Sequence, residues 1–243
     1  MTLHAATRTL TLRLLGGFAV WGSEGEIVLP ASAQRVVAYL ALQDRPVHRR
    51  RLAGVLWPET DDGRAAANLR SVLWRARKLA PLIRDDRSSI ALSPDVDTDA
   101  RRLRQSGEDG VLAWLRTVPG GAAADLELLP DWYDDWVVAE RERYRQIVLR
   151  RLNALAPRLA ARGRVDEAVE VALHAVGLEP LSESSHRSLI TALLAAGDRA
   201  GAVRQYLRCE AVLRDELGLA PSEATIALVR PLLPVGARRV LRG

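Results

Sequence analysis

Gly163-Arg164-Val165-Asp166-Glu167-Ala168-Val169 is echoed 34 residues on by Gly197-Asp198-Arg199-Ala200-Gly201-Ala202-Val203. The same offset pairs Leu155 with Leu189, Leu159 with Leu193, and Leu173 with Leu207. A glycine followed five residues later by a small residue suits two helices joined by a tight turn: the glycine supplies the turn, and Ala168 or Ala202 lets the helices approach closely. A helix pair of this kind buries its apolar face only by stacking on further helices. Val137–Ala156 and Ser222–Leu233 are the sequence neighbours able to complete the stack, and Pro157 predicts a break or kink at the end of the first.

A period of 34 residues is that of tetratricopeptide repeats. Residues 96–243 therefore read as an all-α, TPR-like helical domain, an architecture that scaffolds interactions. Within its approach, Val96–Pro130, the segments Arg101–Gln105 and Val111–Arg116 have helical character, while Gly120-Gly121 reads as loop.

Residues 8–95 follow a different grammar: strand, strand, helix, helix, helix, hairpin. Thr9–Trp21 alternates imperfectly, and Gly22-Ser23-Glu24-Gly25 supplies turn chemistry before the β-type run Glu26–Leu29. Ser32 is placed to cap a helix carrying Val36, Val37, Leu40 and Leu42. A short helix, His48–Leu56, turns Leu52, Val55 and Leu56 inward and Arg49 and Arg50 outward. The loop Trp57-Pro58-Glu59-Thr60-Asp61-Asp62 ends in residues suited to capping a third helix, Gly63–Ala80. At 100° per residue, Leu69, Leu73, Ala76 and Ala80 share the face expected to pack inward. The opposite face carries Arg64, Ala67, Ser71, Trp74, Arg75 and Lys78, with Arg70 and Arg77 on one flank and Asn68 on the other. Ile83–Leu92 follows as a hairpin turning at Asp85-Asp86-Arg87. This order is that of an α+β winged helix-turn-helix, with the hairpin as its wing.

Charge distribution separates the two halves. Residues 8–95 hold 14 basic and 9 acidic side chains, whereas 96–243 hold 21 of each, so the first part carries the whole formal excess of +5. A basic domain joined to a neutral one suits a polyanion-binding module carrying an interaction module. On the third helix, Arg64, Ser71, Arg75 and Trp74 are candidates for reading base edges, since an arginine can bond guanine O6 and N7 together. Arg49, Arg50, Arg70, Arg77 and Lys78 are candidates for phosphates, and Arg87 at the wing tip for the backbone or minor groove. Two other readings stand beside these: a solvated basic face on a core helix, and Trp74 packed against the second domain as an interface anchor.

Other chemistry finds no support. The four histidines are scattered without metal-ligand spacing, and Cys209, the sole cysteine, reads as a small packing residue. No phosphate-cradling glycine motif occurs. Glu127, Asp131, Asp134 and Asp135 suit the start of a helix better than an acid–base pair. Trp132 and Trp136, four residues apart, are expected to fill an inter-domain or repeat core. No catalytic residue, metal or cofactor is expected. The longest uncharged stretches, Leu14–Ser23 and Ser188–Gly197, have ten residues each, about half of a membrane span. Without these or a signal peptide, a cytoplasmic protein with no membrane partner is expected.

The order of elements and several motifs resemble the SARP-type regulators of actinobacteria, in which a response-regulator-type winged helix precedes a bacterial transcriptional activator domain. In the first half the resembling residues are 14–20 (LLGGFAV), 34–42 (QRVVAYLAL), Leu52–Trp57 and 68–75 (NLRSVLWR). In the second they are 129–136 (LPDWYDDW) with Arg141, 179–183 (EPLSE), Gly197–Tyr206 and 217–222 (LGLAPS). The resemblance implies a transcription activator, often of secondary-metabolite clusters such as those for antibiotic biosynthesis. It further implies homodimers on promoter direct repeats of double-stranded DNA, and contact with RNA polymerase partly through the loop Trp57–Asp62. A repressor uses the same DNA contacts. The alternative from another class is a protein-interaction scaffold whose winged helix no longer reads DNA.

Overall fold

Leu10–Arg13 forms strand β1, with Leu10 and Leu12 buried and Arg13 exposed, the alternation of a strand with one face on a core. Gly16 and Gly17, at φ 68° and 136°, turn the chain, and Ala19–Gly22 returns as β2 with Trp21 opposite Thr11. The stretch expected as one imperfect strand is thus two, because the glycine pair interrupts it. Gly25–Glu26 is the short β3, antiparallel to β2.

Helix α1 spans Ala31–Leu42 and buries eight consecutive-face and flank residues, among them Val36, Val37 and Leu40. Its cap is Pro30, not Ser32 as expected. The Pro30 carbonyl already accepts from Gln34 N at 3.0 Å, and Gln34 Nε2 donates to Leu29 O at 2.8 Å, which leaves Ser32 inside the first turn. Val47–His48 (β4) leads into α2, Arg49–Leu56, and α3 covers Asp62–Leu79. The hairpin consists of β5, Ile83–Asp85, and β6, Ser89–Leu92, closed by Asp86 N donating to Ser89 O at 2.8 Å. Val96–Thr98 is β7, and Asp99–Gln105 is α4. One sheet has the order β3-β2-β1-β7, with β7 parallel to β1; the other has β4-β6-β5.

The structure describes residues 10–116 and 127–232 in a computed structural model. Thr9, Gly120, Gly121 and Leu233, on which expectations above rest, lie outside the described residues. Two compact units emerge: the described residues of Met1–Gly107 and Glu127–Tyr144, and those of Glu108–Leu126 and Arg145–Gly243. The border expected between residues 95 and 96 lies just before β7, but β7 joins the first unit by pairing Val96 and Thr98 with Leu10 and Leu12, and that unit continues to Gly107. Leu128, Leu129 and Trp132–Trp136 also belong to this unit. Leu129 N donates to Leu14 O at 2.9 Å, Trp132 stacks on Phe18 with centroids 5.8 Å apart, and Trp136 meets Tyr39 edge-on at 5.2 Å. The two tryptophans therefore pack in the winged-helix unit rather than in the repeats.

The second unit is helical. It contains α5, Glu108–Leu115; the later part of α6, Asp135–Ala161; α7, Val165–Leu178; α8, Glu183–Ala195; α9, Arg199–Leu217; and α10, Glu223–Val229. Gly163 and Gly197 take φ 78° and 79°, and Ala168 and Ala202 are wholly buried, so the 34-residue echo is a structural one. Pro157 does not end α6 as expected. It stands in the last turns, where the carbonyls of Arg158, Leu159 and Ala160 are taken by Arg162 and Gly163 N–H groups. His174 and His186 are buried, and a carbonyl lies 2.8 Å from one ring nitrogen of each (Glu170 O and Pro180 O). Burial lowers the His186 pKa below its ordinary value, and it raises that of the buried Cys209 thiol to about 11, which leaves the cysteine an inert packing group.

Candidate nucleic-acid interface

Helix α2 starts where the His48 ring accepts from Arg50 N at 3.3 Å, and α3 starts where Asp61 accepts from Arg64 N at 2.9 Å. Asp62 is thereby the first residue of α3 rather than the last of the preceding loop. In that loop Thr60 donates to Trp57 O through both its N–H, at 3.2 Å, and its hydroxyl, at 3.1 Å, leaving Pro58 and Glu59 exposed.

Helix α3 is cleanly two-sided. Ala65, Leu69, Val72, Leu73 and Ala76 are buried, and so is Ala80 just past its end. Arg64, Ala67, Arg70, Ser71, Trp74, Arg75, Arg77 and Lys78 are all exposed, Trp74 to 60%. Lys78 Nζ lies 3.7 Å from the Trp74 ring centre, within cation–π range, and Arg75 Nε reaches back to Ser71 O at 3.4 Å. Arg87 stands exposed at the tip of the β5–β6 wing.

The expected cations fall into two groups. Among the described residues no carboxylate pairs with Arg64, Arg70, Arg75, Lys78 or Arg87. Arg50 instead meets Asp62 at 2.6 Å with both side chains largely exposed, a pair of little energetic weight that phosphate can displace. Arg49 and Arg77 both bond the carboxylate of Asp85, whose side chain is only 5% exposed. Sequence reasoning missed this junction, having read Asp85 as a turn residue. The partners are 36 and 8 residues away, and nothing local signals their meeting. A groove of about 560 Å³ runs between α2 and α3, lined by Arg49, Arg50, Asp62 and Arg70 among others.

No group of residues among those described has the make-up of a metal site, and no described helix is long and apolar enough to cross a membrane. Residues 95–233 match the family model of the bacterial transcriptional activator domain. The chain belongs to this family. Comparison with curated proteins gives no match. Among solved structures the fold is similar to that of Mycobacterium tuberculosis EmbR, determined in complex with a low-affinity phosphopeptide. The TM-score is 0.71 at 21% identity, covering 96% of this chain and 68% of the EmbR chain. A winged helix followed by a bacterial transcriptional activator domain is the SARP-type arrangement, and the chain is a transcription regulator of that type. Within the activator domain, Gly197–Tyr206 and the stretch from Leu217 to Ser222 are the turn and helix end of the second repeat.

Proposed function

We propose that this bacterial transcriptional activator domain protein is a cytoplasmic, sequence-specific activator that binds promoter direct repeats as a homodimer and recruits RNA polymerase, at secondary-metabolite genes. The reading is carried by α3, whose outward face presents Arg64, Ser71, Trp74, Arg75 and Lys78 to solvent while its inward face is buried. Such a helix enters the major groove with its polar side chains at base edges, while Arg70 and Arg87 neutralise phosphates beside it. Pro58, Glu59, Asp61 and Asp62 are the exposed residues of the polymerase-facing loop Trp57–Asp62.

The test is selection of genomic fragments by the purified protein, followed by salt titration on the best fragment and a scrambled duplex. A recurring paired motif, bound well above the scrambled duplex with a steep salt slope, is expected. Weak, sequence-blind binding would instead favour the scaffold reading. That reading draws support from Leu173 and Leu207, equivalent positions of the two repeats that are 53% and 51% exposed.

A further inference from the structure

Asp85 ends strand β5, next to the turn of the wing. Both carboxylate oxygens accept from Arg49 Nη2, at 2.6 and 2.5 Å, and Oδ2 also accepts from Arg77, so the start of α2, the far end of α3 and the wing meet on a single anion. The three side chains are unequal: Asp85 is 5% exposed, Arg49 33% and Arg77 49%. The arginines are on the surface that faces a duplex in the reading above, and the carboxylate is beneath it. Backbone bonds already secure the wing without this anion. Arg49 N donates to Ser88 O at 3.0 Å, and β4 pairs with β6 through Val47 opposite Ile90. The junction carries a net charge of one where two free arginines would carry two.

We propose that Asp85 sets the sequence-blind, salt-sensitive part of duplex affinity. It withholds Arg49 and Arg77 from phosphates, which keeps sequence-blind attraction low while the base-reading side chains of α3 are left alone. The inference rests on the DNA-binding reading of α3. Phosphate contacts add to all duplexes alike, so a buried anion that competes for two arginines lowers matched and scrambled affinities by the same factor and flattens the salt dependence of both.

Asp85→Asn keeps the shape of the side chain and removes its charge. Measured against the natural chain, it should bind a scrambled duplex roughly fivefold more tightly at about 0.1 M salt. Its salt slope should steepen by about one, and its affinity for the selected motif should rise by a similar factor. Adding Arg77→Gln should return the slope to that of the natural chain. Thermal melts at the same salt show that each variant is folded. Guanidinium NMR signals of Arg49 and Arg77 in the natural chain supply a test that needs no folded variant: they should stay in place when scrambled duplex is added. An unchanged slope in Asp85→Asn, a gain that survives Arg77→Gln, or movement of those signals overturns the proposal. If the natural chain itself shows no salt-sensitive binding, the DNA-binding reading falls and this inference with it. If it binds and only the variant fails to differ, this inference alone falls.

Discussion

Lys78 lies one helical turn beyond Trp74 on α3, with its ammonium 3.7 Å from the indole centre. The pairing holds a large aromatic surface upright in water and gives its face a positive cap. Trp74→Ala should therefore leave folding intact, because the side chain is 60% exposed, but should weaken binding to the selected duplex by about 1–3 kcal/mol. Fluorescence anisotropy on matched and scrambled duplexes checks this. An equal loss on both would make Trp74 part of a sequence-blind surface, and no loss would free it for a protein contact.

Among the described residues Arg75 has no acidic partner, and it reaches only its own helix. Arg75→Ala should cost specific binding about 1–3 kcal/mol and relax preference at one base position. Repeating the fragment selection with the variant reads this directly; an unchanged motif with uniformly weaker binding assigns Arg75 to phosphate.

Arg141 gathers the carbonyls of a bend that no regular element serves. Its guanidinium donates to Leu128 O at 2.8 Å, to Leu129 O, and to Trp132 O at 2.8 Å, around a Leu129 held at φ 47°. Arg141→Ala leaves several partly buried acceptors unmatched and should lower unfolding free energy by about 2–4 kcal/mol. Arg141→Lys should recover less than half of this, since a single ammonium cannot span the carbonyls that the planar fork spans. Urea unfolding of the three proteins is the measurement, and full rescue by lysine would mean that charge alone matters.

Asp99 caps the turn after β1 from 85 residues away, accepting from Leu14 N at 2.9 Å and Leu15 N at 3.0 Å. Burial pushes its carboxyl up to about 6, against the pull of these N–H groups and of Arg13. A folded pKa above the unfolded one means the native state holds the proton more tightly. Its contribution is full below about pH 4 and is lost as pH rises through 6, by up to ~3 kcal/mol. The stability of the natural chain relative to Asp99→Asn should fall across that window. A lead that grows with pH would show that the N–H groups win and the pKa is depressed.

Gly163 and Gly197 have open space where a Cβ would stand, so alanine at either costs only the left-handed backbone, about 1 kcal/mol and equal at both. The helices that follow are capped differently. Asp198 accepts from Gly201 N at 2.7 Å, while at the equivalent places the Arg164 side chain donates to that of Glu167 and no backbone N–H is capped. Asp198→Ala should cost about 1 kcal/mol and Arg164→Ala far less. Unequal losses at the two glycines, or equal ones at the two caps, would contradict this account.

Much of the fold is legible in the chain because it rests on short-range regularities. The period of 34 residues, the 4-3-4 spacing of Leu69, Leu73, Ala76 and Ala80, and turn residues such as Asp61 act within a few residues of where they stand. Ser32 and Pro157 mislead for a related reason: cap and breaker preferences of under a few kcal/mol yield to the register that packing selects. For α3, the sequence placed the outward side chains correctly but was silent on which arginines are free, because Asp85, Asp62 and their partners meet only after the wing and helices are assembled.

By itself, then, the sequence determined a basic winged helix joined to a helical repeat, since periodicity, turn chemistry and net charge are properties of the chain before it folds. Only the tertiary structure decided that β7, Arg141 and the tryptophan pair belong with the winged helix, and that Asp85 holds Arg49 and Arg77 while Arg64 and Arg75 remain open. Those are contacts between segments distant in the chain. Their partners are chosen by three-dimensional packing, which brings a buried carboxylate to whichever cations the assembled core leaves within reach.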